Sequence, residues 1–186
     1  VAGERFCLYD TAAIEVVLDR MAAQAAGFLA GEADPLLLGI LRPGLPLAER
    51  LQARLKAKHG LDVPCYGLRL KRYADDLTLL HPETELTENA EFSARDLARA
   101  TVLVVDDVLT TGGSVRETLA ALARYDVETV GVAVLVDRSV EPVDLGVPLI
   151  ALARLDISSW EPAGCPLCAG GVPLVKPGTS GARTSG

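Results

Sequence analysis

The chain of 186 residues is 49% hydrophobic and 23% charged, with a formal net charge of −7. This composition is typical of a folded globular domain and excludes a largely disordered chain. The negative balance opposes binding to nucleic acid. The apolar runs are too short to cross a bilayer, and the start VAGERFCLYD lacks a signal-peptide pattern. We therefore expect one folded domain with modest appendages, located in the cytoplasm and not bound to a membrane.

Helical and strand patterns alternate along the chain. Residues Thr11 to Leu29 repeat apolar side chains at three- and four-residue steps, which predicts an amphipathic helix. Short apolar runs such as LLLGIL predict strands that are covered on both faces. The other expected elements are, in chain order, strand 36–41, helix 45–59, strand 63–70, a loop over 71–100, strand 101–105, helix 114–125, and strands 129–136 and 148–153. This order predicts an α/β fold with a mostly parallel, twisted sheet flanked by helices.

The stretch TVLVVDDVLTTGGS, residues 101–114, places two acids and a turn of glycines and hydroxyls directly after a strand. Ligands of parallel sheets bind at the carboxyl ends of the strands. The segment Thr110, Thr111, Gly112, Gly113 and Ser114 offers backbone and hydroxyl donors to a phosphate, and the next helix points its positive end there. Asp106 and Asp107 can accept hydrogen bonds from a pair of sugar hydroxyls. The pattern predicts a site for ribose 5-phosphate; the alternative is an ordinary strand-to-helix turn with an Asp cap.

The segment LVVDDVLTTGGSV resembles the phosphoribosyl-diphosphate signature of type I phosphoribosyltransferases, and the resemblance extends over about residues 8–140. It implies the fold of that family, with a small hood and a mobile lid loop. It also implies that Asp106 and Asp107 bind the ribose hydroxyls and that Thr110 to Ser114 bind the 5-phosphate. The expected partners are phosphoribosyl diphosphate, a nucleobase and Mg²⁺, and relatives commonly form homodimers.

Two further segments resemble parts of the same family. GILRPGLPLAERL resembles the pyrophosphate loop, which implies that Arg42, Pro43 and Gly44 lie against the diphosphate. For Arg42 alone, a solvated loop cation is the alternative. LRLKRYADDL resembles a segment of the bifunctional pyrimidine-operon regulators and uracil phosphoribosyltransferases, so the lid is expected within 71–95, with Lys71 and Arg72 near the diphosphate.

The choice of nucleobase remains open between uracil, orotate and a purine. AVLVDRS resembles both the uracil-type regulators and orotate enzymes, which makes Asp137 and Arg138 candidates for the base pocket. A surface Asp–Arg pair is the alternative. The start LYDTAAIEVVLDRMAAQ resembles the uracil-type regulators, whereas the end CPLCAGGVPLVKPGTSG resembles some bacterial orotate phosphoribosyltransferases. A nucleotide-sensing RNA-binding regulator is a further alternative, which the acidic balance opposes.

The end of the chain is expected to be separate from the transferase domain. We assign residues 1–159 to the domain and 160–186 to a tail whose proline and glycine content predicts partial disorder. Cys165 and Cys168 form a CxxC sequence, which is compatible with half a zinc site, a redox pair or a packed turn. A single CxxC is a weak signal, so we expect a packed turn there ahead of a zinc site or a redox pair.

Overall fold

A computed structural model describes residues 7, 9–41, 43–71, 85–88, 97–157, 160 and 162–172. The chain divides into two compact units. The larger unit is Leu8–Ile157, and the other combines Val1–Cys7 with Ser158–Gly186. Within the described ranges, no helix has the length and apolar character needed to cross a bilayer.

The larger unit is built on one sheet of six strands in the order β3-β2-β1-β4-β5-β6. All neighbouring strands are parallel except β2 and β3, which pair antiparallel at the edge. The predicted α/β class with a mostly parallel sheet flanked by helices is confirmed. Its elements are α1 (Thr11–Leu29), β1 (Pro35–Ile40), α2 (Gly44–His59), β2 (Cys65–Lys71), β3 (Glu85–Glu88), β4 (Thr101–Leu109), α3 (Gly113–Leu122), β5 (Glu128–Asp137) and β6 (Leu149–Arg154).

Strand β3 corrects the expectation of a loop through residues 71–100. It pairs with β2 from Leu68↔Glu88 to Lys71↔Glu85. The sequence ELTE is short and has no apolar alternation, so local pattern does not predict a strand. Pairing with β2 forms it, and charged residues are common on such sheet edges. The rest of the expected lid, including Arg72, lies outside the described residues.

The sheet carries an apolar layer on each face, because side chains along each strand point alternately to opposite sides. Helices α1 and α2 cover one face, and α3 with the segment after β5 covers the other. Buried strand residues of the first layer include Leu37, Leu103, Val105 and Ala133, and those of the second include Leu38, Val102, Val104 and Val132. The prediction that the apolar strands are covered on both faces is therefore confirmed.

Helices α1 and α2 are joined by charged side chains. Asp10 caps α1 by accepting a hydrogen bond from the Ala13 N–H at 2.7 Å. Arg54 of α2, whose side chain is only 14% exposed, pairs with Glu15 and Asp19 of α1. These ion pairs supplement the apolar packing of α1 with α2, and α2 begins at the site described below.

The second unit contains two short turns in its described part. Residues Pro162–Gly164 form one turn of 3₁₀ helix, and Pro166–Ala169 form a short helical turn, α4. The sequence predicts partial disorder in the tail 160–186, mainly in KPGTSGARTSG (176–186), and that segment lies outside the described part of the chain.

Candidate functional site

The strand order changes direction between β1 and β4. From β1 the chain continues to β2 on one side of the sheet, whereas β4 continues to β5 on the other. Strands β1 and β4 run parallel and pair from Pro35↔Thr101 to Gly39↔Val105, so their carboxyl ends lie side by side. Open parallel sheets bind their ligands in the crevice formed at such a point. The turn before α2 and the pair Asp106–Asp107 therefore meet at the same edge.

Two glycines allow close contact at this edge. A Cβ atom on Gly44 would lie 2.5 Å from the Val105 carbonyl oxygen and 3.0 Å from the Asp106 Cα. A Cβ atom on Gly39 would lie 2.5 Å from the Leu45 Cα. The start of α2 thus packs directly on the β4 backbone next to Asp106. The sequence predicted Gly44 for its approach to a ligand, and the structure gives it a packing role as well.

Strand β4 is four residues longer than predicted, since it ends at Leu109 and not at residue 105. Both acids therefore belong to the strand and not to the turn. Asp106 is 6% exposed, and its Oδ1 accepts a hydrogen bond from the Asp107 N–H at 2.9 Å. Alternation along the strand places the half-buried Asp107 on the opposite side, the side of Val105 and α2.

Asp106 has an unusual acidity. Burial raises its pKa most, and the neighbouring Asp107 carboxyl raises it too, whereas the hydrogen bond from the Asp107 N–H lowers it. The resulting pKa is about 7. A carboxyl group with this pKa changes charge near neutral pH. Groups that bind the ionised carboxylate, such as sugar hydroxyls, are expected to lower this pKa when they bind.

Asp106 and the glycine-rich turn line one cavity of about 420 Å³. This volume is within the range of small-ligand sites. The turn leads into α3, whose first N–H groups and positive helix end favour an anion. The residues that line the cavity are Asp106, Val108, Leu109, Thr110, Thr111, Gly112, Gly113, Ser114, Val115 and Glu117. The structure thus brings together the predicted phosphate turn and one of the two predicted acids; Asp107 does not line this cavity.

Gly112 is required at the N-cap of α3 for two reasons. Its φ of +77° lies in the left-handed region, which side chains disfavour. A Cβ atom there would also lie 2.7 Å from Val143 Cγ1. The segment after β5 therefore packs on the back of the phosphate turn, and the turn has little freedom to change its shape.

Arg116 and Glu117 belong to this site although the sequence analysis did not select them. The Arg116 guanidinium donates to the Thr111 carbonyl at 3.4 Å and to the Asp144 carbonyl at 3.3 Å. Glu117 lines the cavity one helical turn after Ser114. Its position three residues after Ser114 is the only feature of the sequence that indicates a place in the cavity. No sequence pattern links Arg116 to Asp144.

Asp137 and Arg138 lie at the carboxyl end of β5. The Asp137 side chain accepts hydrogen bonds from the Ser139 N–H at 2.9 Å and the Ser139 hydroxyl at 2.6 Å, and it lies 3.8 Å from the Arg154 guanidinium. Burial alone would raise the pKa of Asp137, but Ser139 and Arg154 outweigh it and lower the pKa. The Arg138 N–H donates to the Leu109 carbonyl at 2.8 Å, so the backbone of Arg138 lies beside the start of the phosphate turn. The role of both residues in a base pocket stays a prediction.

The expected diphosphate contacts are only partly described. Pro43 is the N-cap of α2 and forms no side-chain cap, in keeping with its lack of a polar side chain. Lys71 ends β2, and its backbone pairs with Glu85. Arg42 and Arg72 lie outside the described residues. Their contact with diphosphate stays a prediction.

The family model described as "Phosphoribosyl transferase domain" matches residues 7–145. The chain is 56% identical over 78 residues to the orotate phosphoribosyltransferase of Caldicellulosiruptor bescii, which is 42% of this chain and 41% of that protein. It is 46% identical over 82 residues to the orotate phosphoribosyltransferase of Thermotoga maritima, 44% of each chain. The matched segments thus span less than half the length of these curated relatives.

Solved structures extend the similarity over more of the chain. Orotate phosphoribosyltransferase from Aeropyrum pernix is 28% identical with a TM-score of 0.51, covering 78% of this chain and 73% of that one. Hypoxanthine phosphoribosyltransferase from Staphylococcus aureus has a TM-score of 0.60 at 14% identity, covering 83% and 80%. The second likeness concerns the fold alone. Because the family model covers most of the chain and the site lies within it, this protein belongs to the phosphoribosyl transferase domain family.

Proposed function

We propose that the chain transfers ribose 5-phosphate from phosphoribosyl diphosphate to a pyrimidine base, with orotate as the preferred base. The observation that carries this proposal is the shared cavity of Asp106 and the turn Thr110 to Ser114 at the switch point of the sheet. The family match supports transferase chemistry. Relatives named orotate phosphoribosyltransferase support the choice of base.

In this proposal, the sugar phosphate is bound at both ends. The amides and hydroxyls of the turn Thr110 to Ser114 bind the 5-phosphate. Asp106 accepts a hydrogen bond from a ribose hydroxyl, and this favours its ionised form. Because the pKa of Asp106 in the free protein is raised to about 7, affinity for the sugar is expected to increase from pH 6 to pH 8.

The diphosphate is proposed to lie between the start of α2 and Asp107. Gly44 lets α2 begin directly beside β4, and Arg42 supplies a permanent charge to the departing oxygens. Among the described residues there is no group of three or more metal-ligating side chains. Two adjacent carboxylates fit Mg²⁺ that arrives with a phosphate substrate, because this ion keeps few protein ligands. When bound, Mg²⁺ would neutralise charge on the diphosphate.

The proposed reaction is a displacement at the anomeric carbon. A ring nitrogen of the base forms a bond to that carbon while the bond to the diphosphate oxygen breaks and pyrophosphate leaves. The ring carries positive charge in the transition state, and the Asp106 and Asp107 carboxylates stabilise it. Residues of the two turns hold both substrates in line, and the part of the proposed lid at 71–95 that lies outside β2 and β3 excludes water.

The main alternative functions differ in the nucleobase that accepts the ribose 5-phosphate. Uracil is supported by the resemblance of the chain start and of AVLVDRS to uracil-type enzymes. A purine is supported only by the fold of structures such as the Staphylococcus aureus enzyme. Arg138 is proposed to distinguish orotate by pairing with its carboxylate, which uracil and purines lack.

A panel of bases tests the proposal. The purified full chain is incubated with phosphoribosyl diphosphate, Mg²⁺ and orotate, uracil, hypoxanthine or adenine, and pyrophosphate release is followed. We expect turnover with orotate and much less with the other bases. Turnover with a purine alone would contradict the pyrimidine assignment, and release with no base would contradict the transferase assignment. Salt-sensitive binding to a pyrimidine-gene leader RNA, without turnover, would favour the regulator.

Substitution Asp107→Asn is expected to preserve folding and to lower turnover about tenfold, because one carboxylate that faces the diphosphate side loses its charge. Asp107 is half-buried and does not line the phosphate cavity, so the KM for phosphoribosyl diphosphate should change less than kcat. Steady-state kinetics and thermal melting of the variant check this. Undiminished turnover would contradict a role for Asp107.

Substitution Arg116→Ala is expected to raise the KM for phosphoribosyl diphosphate about tenfold with a small change in kcat. Arg116 donates to the carbonyl of Thr111, a residue that lines the cavity. In a trans peptide the following N–H, that of Gly112, points in the opposite direction. Without Arg116 this amide is less well oriented toward a phosphate.

Arg124→Ala, a change at an exposed residue in the turn just after α3, is the control for loss of positive charge. Kinetic assays of both variants should show the KM change in Arg116→Ala alone. Equal effects would mean that Arg116 acts only through its charge.

The organisation of the whole protein is also a proposal. We assign residues 1–159 to the transferase and 160–186 to a separate tail. The boundary between the two compact units after Ile157 supports the start of the tail, whereas Val1–Cys7 are grouped with the tail unit. The homodimer implied by the family resemblance can be checked by light scattering at micromolar concentration.

A further inference from the structure

The tail sequence Cys-Pro-Leu-Cys forms a closed helical turn that is not used by the proposed transferase site. Cys165 is the N-cap of α4, and its carbonyl accepts a hydrogen bond from the Ala169 N–H at 3.0 Å. Pro166 stands at the first helical position, which fixes the backbone there. Cys165 and Cys168 are therefore held three residues apart on the same side of one turn.

This spacing is suited to a bond between the two sulfurs. Residues three apart on a helix have Cα atoms about 5 Å from each other. Disulfides join residues whose Cα atoms are about 4.4–6.8 Å apart. The Cys168 N–H already donates to Cys165 Sγ at 3.4 Å, so the Cys165 sulfur lies over the residue that would become its partner. Side-chain rotation with minor backbone adjustment is enough to form the bond.

The two thiols differ in acidity. Three groups lower the pKa of Cys165: the Cys168 N–H has the largest effect, followed by the Cys168 side chain and the Leu167 N–H. Burial opposes this effect. The Cys165 sulfur raises the pKa of Cys168, with a smaller effect of burial. Thiolates and not thiols attack disulfides, so Cys165 is the attacking group of the pair.

Both sulfurs belong to partly or fully exposed residues, and a third cysteine, the half-buried Cys65, differs from them in its acidity. Cys168 is exposed and Cys165 is half-buried. Cys65 lies against the core below α2, and burial, with a contribution from Glu49, raises its pKa to about 11. Cys65 is therefore an internal control with little thiolate at neutral pH.

A zinc site is the other use of a CxxC sequence. Structural zinc needs four ligands, and this turn supplies two. Within the described ranges, no third His, Cys, Asp or Glu joins them to form a ligand group. A dithiol needs no further ligand, so the geometry favours redox chemistry.

We propose that Cys165 and Cys168 form a reversible intramolecular disulfide with small-molecule disulfides as oxidants. The Cys165 thiolate attacks one sulfur of glutathione disulfide, the S–S bond breaks, and one glutathione leaves as thiolate. The Cys168 thiol loses its proton and attacks the Cys165 sulfur, which releases the second glutathione. Two electrons pass from the two cysteines to the oxidant, which becomes two glutathione thiols. This inference is independent of the proposed transferase function.

The full chain is tested with glutathione disulfide and glutathione at a series of ratios, followed by acid quenching, alkylation and mass spectrometry of peptides. A Cys7→Ser background removes the other exposed cysteine. We expect the peptide that carries both cysteines to lose two hydrogens, and reducing agent to restore it. In Cys168→Ser, one glutathione adduct should accumulate on Cys165. In Cys165→Ser, the adduct on Cys168 should form about tenfold more slowly at pH 7.

Two results would overturn the proposal. One is a wild-type tail that carries only glutathione adducts, or disulfides between chains, at saturating oxidant. The other is purified protein with one equivalent of zinc that protects both cysteines from alkylation until a chelator is added. Circular dichroism in the same buffer confirms before the series begins that the chain is folded, and slow alkylation of Cys65 relative to Cys165 is expected from its raised pKa.

Discussion

Substitution Asp106→Asn is expected to lower turnover about 100-fold while making the free protein more stable at pH 8. Asp106 is 6% exposed and lines the cavity that we assign to the sugar phosphate. Asparagine keeps the shape of the side chain but lacks the charge that would stabilise the cationic sugar ring. The same change removes a buried carboxylate, which is unfavourable in the free protein above neutral pH. Activity and stability should therefore change in opposite directions.

The pH dependence of this stability follows from the raised pKa of Asp106. The pKa is about 7 in the folded protein against an ordinary value of 3.8. Protonation therefore stabilises the folded state; this contribution is fully present below pH 4 and is lost as the pH rises through 7. The free energy of unfolding of Asp106→Asn relative to wild type should increase from pH 5 to pH 8, by about 2–3 kcal/mol.

Urea denaturation of both proteins at pH 5 and pH 8, in a chelating buffer without substrate, measures this difference. The variant Asp126→Asn removes an exposed acid outside the site and corrects for the change in net charge. If Asp106→Asn were less stable than wild type at pH 8, the carboxylate would be satisfied in the free protein and the assigned acidity would be wrong.

Substitution Gly44→Ala is expected to destabilise the protein by about 2–3 kcal/mol and to abolish most of its turnover. The added methyl group would lie 2.5 Å from the Val105 carbonyl oxygen, which belongs to the central strand and has no room to move. Helix propensity alone favours alanine by up to about 1 kcal/mol, so the sign of the result shows which effect dominates. To relieve this contact, the start of α2 must move away from Asp106.

Gly27→Ala is the matched control for Gly44→Ala. Gly27 lies within α1, and a Cβ atom there has nothing within 4 Å. Thermal melting should show a rise in Tm for Gly27→Ala and a fall for Gly44→Ala. A stable and active Gly44→Ala protein would mean that α2 does not pack on β4 as described.

Much of the fold follows from local sequence patterns. The regular apolar spacing of Thr11–Leu29 predicts this helix with its observed ends, and the structure adds the Asp10 cap. The strands β1, β2, β5 and β6 differ from their predicted bounds by at most two residues. Each is a dense apolar run between turn residues, and such runs are specified by local composition.

The misses have a common physical origin in contacts between distant segments. Strand β3 exists through pairing with β2, which the composition of ELTE does not indicate. Strand β4 continues through two acids because β5 pairs with it as far as Leu109↔Asp137. Polar residues inside a strand look like the start of a turn when the partner strand is unknown.

For the candidate site too, the sequence predicts the residues that are adjacent in the chain but not those that meet only in the fold. The acids and the phosphate turn are contiguous in sequence, so their chemistry could be interpreted directly. The contact of Arg116 with Asp144 joins residues 28 apart. The contact of Gly44 with Val105 crosses from one strand end to another. Only the folded arrangement brings these residues together, and they explain why the cavity has its shape.

Calorimetric titration with phosphoribosyl diphosphate and Mg²⁺ tests the central claim most directly. We predict one binding site per chain for the wild type, with affinity that increases from pH 6 to pH 8 as Asp106 ionises, and a large loss of affinity in Asp106→Asn. An absence of binding to wild type, or equal affinity of the two proteins at pH 8, would contradict the assignment of this cavity to the sugar phosphate.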